Sequence, residues 1–388
     1  MTEAVEQMIQ VGRAMLDMHL QNTHSGNISM RTDGGMLITR SGSMKGRLSP
    51  EDIVRLDISK SGPDELRASV ETGTHRGVLR FAGAVVHAHS VPAILLSFLG
   101  NSIDPVDFLG MRLLKSVPVL EFDNPIGSVE MERDIPPVLR KAPAMVVKTH
   151  GPFACADDLL QALRLVSVLD FSCKILWQMN LHEARQPVGM DYPSWQAGSE
   201  PDDLNTITDH AVYENFEQAC AILFDMGLSP FMTGSMALRN ERTMSWSTGA
   251  CLPPYFQPAV SEISLNGSSE HFFKRLFQRV FRETHARAAI FAHCWEAALQ
   301  GLLVAETGQA SFSPIDAEGR YLYPVVPVIQ TGDEVEEILS AAAENRVVLV
   351  AGMGVLAIGE SFPDALRHVS AMKNICAIKS GITMRGKR

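Results

Sequence analysis

The feature that most limits what this chain can fold into is that its second half repeats its first. Residues 150–175 laid without gaps on residues 353–378 share nine identities in 26 positions, among them Gly151/Gly354, Arg164/Arg367 and Cys173/Cys376. Ser25-Gly26-Asn27-Ile28-Ser29-Met30-Arg31 matches Thr233-Gly234-Ser235-Met236-Ala237-Leu238-Arg239, and Ala84-Val85-Val86 has an echo in Ala289-Ile290-Phe291. The blocks keep their order, so the chain is a tandem duplication of one domain. At 388 residues two domains are also the expectation from size alone. We place the first at residues 1–180, a linker rich in proline, glycine and acids at 181–205, and the second at 206–388.

Within the first copy, apolar positions from Val5 to Leu20 follow a helical stripe, and the alternating stretches 36–39 and 53–58 predict strands. Ala84-Val85-Val86-His87-Ala88-His89 predicts a strand that brings both histidines to one face. Ser90-Val91-Pro92-Ala93 then opens a helix. A further strand, residues 145–149, ends at His150-Gly151, and a long helix follows from Asp157. Ser69 is a candidate N-cap, which puts Glu71 in a first helical turn and His75 one turn further on. This order of strands and helices defines an α/β domain.

The candidate chemistry is concentrated in the first copy. Neutral imidazoles converging from one side suit a divalent transition metal. Two small-residue loops, around Gly26-Asn27 and around Ser41-Gly42, let backbone amides approach an anion. With the blocks aligned in this way Ala292, Cys294 and Met353 stand opposite His87, His89 and His150, and Ser235 opposite Asn27; a one-residue shift sets His293 opposite His89. Loss of one metal site explains the missing histidines together.

A formal charge of −10 argues against a nucleic-acid partner. The apolar run 347–359 is too short and glycine-rich to span a bilayer, so no membrane role is expected. The acidic start of the chain is unlike a signal peptide, and six scattered cysteines without a C-x-x-C pair read as free thiols, which together place the protein in the cytoplasm. The basic end Met384-Arg385-Gly386-Lys387-Arg388 reads as a solvated tail.

Gly26-Asn27-Ile28-Ser29, Thr39-Arg40-Ser41-Gly42, Ser69-Val70-Glu71, Val86-His87-Ala88-His89 and Thr149-His150-Gly151, in this order, resemble the class II aldolase/adducin family. The second copy resembles the same fold with its motifs eroded. The resemblance implies two tandem α/β/α domains with a central, mainly antiparallel sheet. It implies one divalent ion per chain, of the Zn²⁺ type, on His87, His89 and His150, and Glu71 as the catalytic acid/base. It also implies phosphate contacts from Asn27, Ser41, Gly42 and Ser69. Two departures stand out: Val70 replaces a serine of the family aldolases, and Phe108 lies near their tyrosine proton donor. The implied activity is a metal-dependent, retro-aldol type lyase for a small sugar phosphate or related hydroxy-carbonyl compound. Epimerase, dehydratase or decarboxylase chemistry on the same scaffold, or a non-catalytic adducin-like assembly or sensor role, are the alternatives. Family aldolases form four-fold rings, so two tandem chains are expected to pair as a homodimer with a four-domain, pseudo-symmetric ring.

Overall fold

A computed structural model describes residues 2–185, 192, 205–206, 209–267, 269–330 and 335–386. The expected linker falls largely outside these, as do Lys387 and Arg388 of the basic tail. The chain divides into two compact units, Met1–Pro105 with Leu109–Trp177, and Gln178–Arg388 with Val106–Phe108.

The first unit begins with α1 (Thr2–Asp17), which buries Met8, Val11 and Met15 at helical spacing while Arg13 and Asp17 pair outside. Next come β1 (Asn27–Thr32), β2 (Gly35–Thr39), β3 (Ile53–Leu56), α2 (Thr72–Leu79) and β4 (Ala84–His87). They are followed by α3 (Val91–Ser97), β5 (Ser102–Ile103), α4 (Phe108–Leu113, whose first residue counts with the second unit), β6 (Val117–Leu120) and α5 (Val129–Leu139). The unit ends with β7 (Ala144–Val147), β8 (Gly151–Ala156) and α6 (Leu159–His182). The eight strands form one sheet in the order β3-β2-β1-β4-β8-β7-β6-β5, antiparallel except between β6 and β7. On one face Met36, Ile38, Val85, Met145, Val147 and Phe153 pack against Val78 and Leu79 of α2 and Met131, Ile135 and Leu139 of α5. That face, continued one step beyond Val85, carries His87.

The second unit holds β9 (Asn205–Thr206), α7 (His210–Asp225), β10 (Ser235–Arg239), β11 (Thr243–Thr248), β12 (Ser261–Ser264) and α8 (Phe272–Glu283). It continues with β13 (Ala288–Ala292), α9 (Trp295–Glu306), β14 (Ser311–Phe312), α10 (Ala317–Leu322) and β15 (Val326–Ile329). It closes with α11 (Val335–Glu344), β16 (Val347–Val350), β17 (Gly354–Gly359) and α12 (Phe362–Gly386). Its sheet, β14-β15-β16-β17-β13-β10-β11-β12-β9, repeats the first in order and sense and adds β9 at one edge.

The strand registers decide how the copies align. Asn27 pairs with His87 and Ser235 with Phe291; His87 pairs with Phe153 and Phe291 with Leu356. The counterpart of His87 is therefore Phe291, not Ala292, and the counterpart of His89 is His293, not Cys294. Cys294 instead matches Ser90, since each occupies the position before α9 or α3. The pairing of Ala84-Val85-Val86 with Ala289-Ile290-Phe291 is out by one residue, and the ladder corrects it.

Two local expectations also shift. The helix after the Glu71 turn starts at Thr72, so Ser69 does not cap it; Glu71 takes the cap position and turns no side-chain oxygen to the helix amides. Ser69 is held one step upstream, its carbonyl accepting from the Thr72 amide and hydroxyl. The strand bearing the histidines ends at His87, which leaves His89 in the connection to α3.

Among the described residues no helix is long and apolar enough to cross a membrane. All six cysteines are free and buried.

The turn between β7 and β8 is tightly constrained. Thr149 is left-handed at φ 69°, and Gly151 has φ 148°, with an ideal Cβ falling 2.2 Å from the Ala88 carbonyl oxygen. Gly42 is also left-handed, at φ 71°, but a Cβ there meets open space. We expect Gly42→Ala to cost about 1–2 kcal/mol, from the backbone conformation alone. Gly151→Ala adds a backbone clash to a conformation that only glycine adopts readily, and should lower the thermal midpoint further. Equal midpoints for the two variants would contradict this account of the turn.

Candidate metal centre

The site is assembled at the ends of the three central strands. The antiparallel ladder sets Asn27, the first residue of β1, opposite His87, the last of β4, and His87 opposite Phe153 of β8. The Phe153 ring stacks on His87 with centroids 3.9 Å apart, fixing the plane of the imidazole. Gly26 (φ 72°) brings its loop so close to β4 that a Cβ would lie 2.6 Å from the His87 carbonyl oxygen. The β7–β8 turn delivers His150.

His87, His89 and His150 converge, with Nε2 of His87 3.2 Å from Nε2 of His89 and 3.1 Å from Nε2 of His150. The other ring nitrogens set the protonation. Nδ1 of His87 lies 2.9 Å from the Pro152 carbonyl oxygen, and Nδ1 of His150 bonds the Pro125 carbonyl. A carbonyl only accepts, so Nδ1 carries the proton in both rings and Nε2 presents a lone pair. Burial pushes all three histidines below their usual range, His89 to about 4, with the neighbouring imidazoles adding to the effect on His87 and His89.

Neutral lone pairs facing one another at about 3 Å repel unless a cation lies between them. Donors at about 2.0–2.1 Å around a tetrahedral ion stand roughly 3.3–3.4 Å apart, close to the spacing here. Carbonyls fixing the far side of each ring are also how metal-binding histidines are ordinarily oriented. The donor set therefore fits a divalent transition-metal ion.

Glu71 lies alongside. Its carboxylate oxygens are 3.6 Å from Nε2 of His87 and 3.8 Å from Nε2 of His150. Asn27 Nδ2 donates to Glu71 Oε2 and to Ser69 Oγ, the latter at 3.0 Å, and Ser69 Oγ also accepts from the Glu71 amide at 3.3 Å. Glu71 Oε1 is buried without a hydrogen-bond partner. Burial raises the carboxyl to about 7 against the opposing pull of Asn27, so the group is poised between its two forms near neutrality. A carboxyl placed to stabilise its own helix would point at the helix amides; this one points at the imidazoles.

The remaining candidates are dispersed. Ser41 and Ser69 border a cavity of about 310 Å³ together with Val70, Thr72 and Arg76. Gly26, Asn27 and Gly42 do not border it. Phe108 belongs to the second unit, where its ring stacks on His293 with centroids 5.9 Å apart. His75, the residue one turn from Glu71, is fully buried and shares a hydrogen bond of 2.6 Å with Ser29 Oγ instead of joining the imidazole cluster. Burial holds it at about 3, so it stays neutral.

The corresponding place in the second unit is closed. Besides Phe291 and Met353 in place of His87 and His150, the burial pattern of α8 sets Phe273 opposite Glu71 and Phe277 opposite His75. His293 keeps the backbone bond of its kind, Nδ1 to the Met353 carbonyl at 2.8 Å, but Phe108, Phe273 and Phe291 surround its ring.

Three residues were not singled out from sequence. Lys45, Pro125 and Pro152 enter the site's surroundings through hydrogen bonds made or accepted at backbone carbonyls. The carbonyls leave no mark in a sequence. Lys45 leaves only its charge, which it shares with Arg40 and Arg47 on either side.

Comparison with known proteins gives the family and several relatives. The family model described as Class II Aldolase and Adducin N-terminal domain matches residues 6–177 and 268–380. A methylthioribulose-1-phosphate dehydratase of Granulibacter bethesdensis is 36% identical over 167 residues, covering 38% of this chain and 78% of its own. One of Methylococcus capsulatus is 31% identical over 185 residues, covering 44% of this chain and 90% of its own. Among solved structures, l-fuculose-1-phosphate aldolase from Thermus thermophilus is 34% identical, with a TM-score of 0.46, over 48% of this chain and all of its own.

Each imidazole supplies one donor, and although His87 is also buried against Phe153, the sheet's apolar face against α2 and α5 does not depend on any of the three. His87→Ala and His150→Ala should therefore lose bound divalent metal by elemental analysis while keeping the wild-type circular dichroism spectrum. His293→Ala should leave the metal content unchanged. Full metal content in the first two variants would refute the assignment.

Proposed function

The chain belongs to the class II aldolase and adducin family, and on that premise we propose that its first unit is a metal-dependent lyase for a phosphorylated ketose, with loss of water as the preferred reaction. The observation that carries this is the buried Glu71 carboxyl, held by Asn27 beside three imidazoles whose lone pairs converge. His87, His89 and His150 would hold one divalent ion. Such an ion supplies Lewis-acid polarisation of the substrate's carbonyl and adjacent hydroxyl oxygens.

The chain's own part is proton transfer. The Glu71 carboxylate takes the proton from the carbon next to the ketone, and the electron pair left behind expels the hydroxyl on the following carbon. The protonated Glu71 returns its proton to that departing oxygen, which leaves as water. If the deprotonated carbon itself carries a hydroxyl, the product is an enol that tautomerises to a diketone. A single carboxyl whose proton affinity burial raises suits both transfers. Asn27 keeps the carboxyl aimed, and the stacked Phe153 keeps His87 in plane.

One consideration favours dehydration over carbon–carbon cleavage. The relatives at 36% and 31% identity are both named as dehydratases of a 1-phosphorylated ketose. Phe108, the residue nearest the family's tyrosine donor in sequence, stacks on His293 in the second unit and so enters neither reaction. The retro-aldol reaction remains the second reading, on the likeness of the shared motifs. Ser41, Gly42, Ser69 and Asn27 are proposed as contacts for the substrate phosphate, and Gly26 as the residue that lets their loop approach.

Glu71→Gln keeps the size of the side chain but cannot accept a proton. It should retain metal and lower turnover by about 10²–10⁴-fold. Assay of wild type on a panel of ketose 1-phosphates, reading diketone against aldehyde release, separates dehydration from cleavage. A variant working at the wild-type rate would remove Glu71 from the chemistry.

We propose also that two chains associate, with one metal ion per chain held by the first unit. Light scattering combined with metal counting tests this; a monomer, or two ions per chain, would overturn it.

A further inference from the structure

Lys45 is a cation with nothing in the proposed chemistry to do. It starts the short 3-10 turn Lys45–Arg47, yet it is only 3% exposed. Its Nζ donates to the Ser43 carbonyl at 2.8 Å and to the His24 carbonyl at 3.1 Å, and its backbone amide donates to the Thr23 carbonyl at 3.0 Å. One residue thus ties the loop leading to Gly26 and Asn27 to the turn that carries Ser41 and Gly42.

The charge is harder to account for than the tie. Among the described residues no carboxylate lies within ion-pair distance of Nζ. Asp52, the acid whose charge acts on it, is engaged by Arg40 at 2.8 Å and by Ser49 at 3.0 Å. Burying an ammonium without a counter-ion costs several kcal/mol, and two carbonyl oxygens offset only part of that. A neutral donor, such as a glutamine amide, could hold the same two loops with a smaller desolvation penalty. Burial does pull the group down, to about 8, but leaves it mainly charged at neutral pH. A buried positive charge between two loops of small residues suits an anion that arrives from outside.

We propose that Lys45 is the positioning and charge residue for the substrate's anionic group. Its ammonium supplies the counter-charge to a phosphate held between the Gly26-Asn27 loop and the Ser41-Gly42 turn, and its hydrogen bonds set the spacing of the two. This rests on the reading of the substrate as a phosphorylated compound, but not on the reaction performed on it.

The test uses the full chain loaded with metal and inorganic phosphate as the probe. Lys45→Met removes charge and donors, and Lys45→Gln removes the charge but keeps a donor. Both should raise the calorimetric Kd for phosphate at least tenfold. With a turned-over substrate in hand, both should raise KM by a similar factor and leave kcat within about threefold. A folded variant that binds phosphate within twofold of wild type overturns the proposal. In the wild-type protein itself, NMR of Cε-labelled lysine should show the Lys45 titration midpoint rising when phosphate is added. An unmoved midpoint overturns the proposal even if neither variant folds. Wild type that binds no phosphate also overturns it. Wild type that binds phosphate through Lys45 but turns over no ketose phosphate leaves Lys45 in place and removes the lyase reading instead.

Discussion

The site in the first unit depends on the antiparallel pairing of β1, β4 and β8. Because cross-strand partners lie only about 5 Å apart, a pairing that matches Asn27 to His87 and His87 to Phe153 also settles which functional groups can meet. A slip of one residue would send His87 to the opposite face of the sheet and break its stack on Phe153. The hydrophobic alternation of Val85, Met145, Val147 and Phe153 on that face resists such a slip, since all of them would lose their places against α2 and α5. The same packing that stabilises the sheet therefore holds the imidazoles in register.

Around this ladder the parts that need unusual backbone are few and local. Gly26 and Gly151 lie where the loops come closest to β4, and Thr149 carries a left-handed backbone beside His150. His150 must leave its strand sharply to meet a histidine from the neighbouring one, and this turn makes that possible. The orienting bonds run to the carbonyls of Pro152 and Pro125, residues without an amide hydrogen.

Much of this was legible before any coordinates, and the reasons differ from residue to residue. His87 and His89 stand out because alternation in a strand has a fixed period, and His150 because a strand end followed by glycine marks a turn. The duplication was legible because apolar positions persist after site residues are lost. Its one-residue error lies in the strand β4, a short apolar run that fits β13 at either of two offsets, and the register of Ser235 with Phe291 removes it. Glu71 looked like a helix-stabilising acid because helix starts favour acids. Only its bond to Asn27, 44 residues away in sequence, reveals its other orientation. Lys45 went unread because burial of a charged side chain in a turn has no periodic signature.

The second unit has another consequence. Where the first has His87, His150 and Glu71, it has Phe291, Met353 and Phe273, all tightly packed within a hydrophobic interior. Restoring any one polar side chain alone would bury an unpartnered imidazole or carboxyl among aromatic rings, at a cost of a few kcal/mol and with no metal bound in return. Each step back toward a working site is penalised until several have been taken together. Single substitutions therefore give the second unit no stepwise route to a site like that of the first.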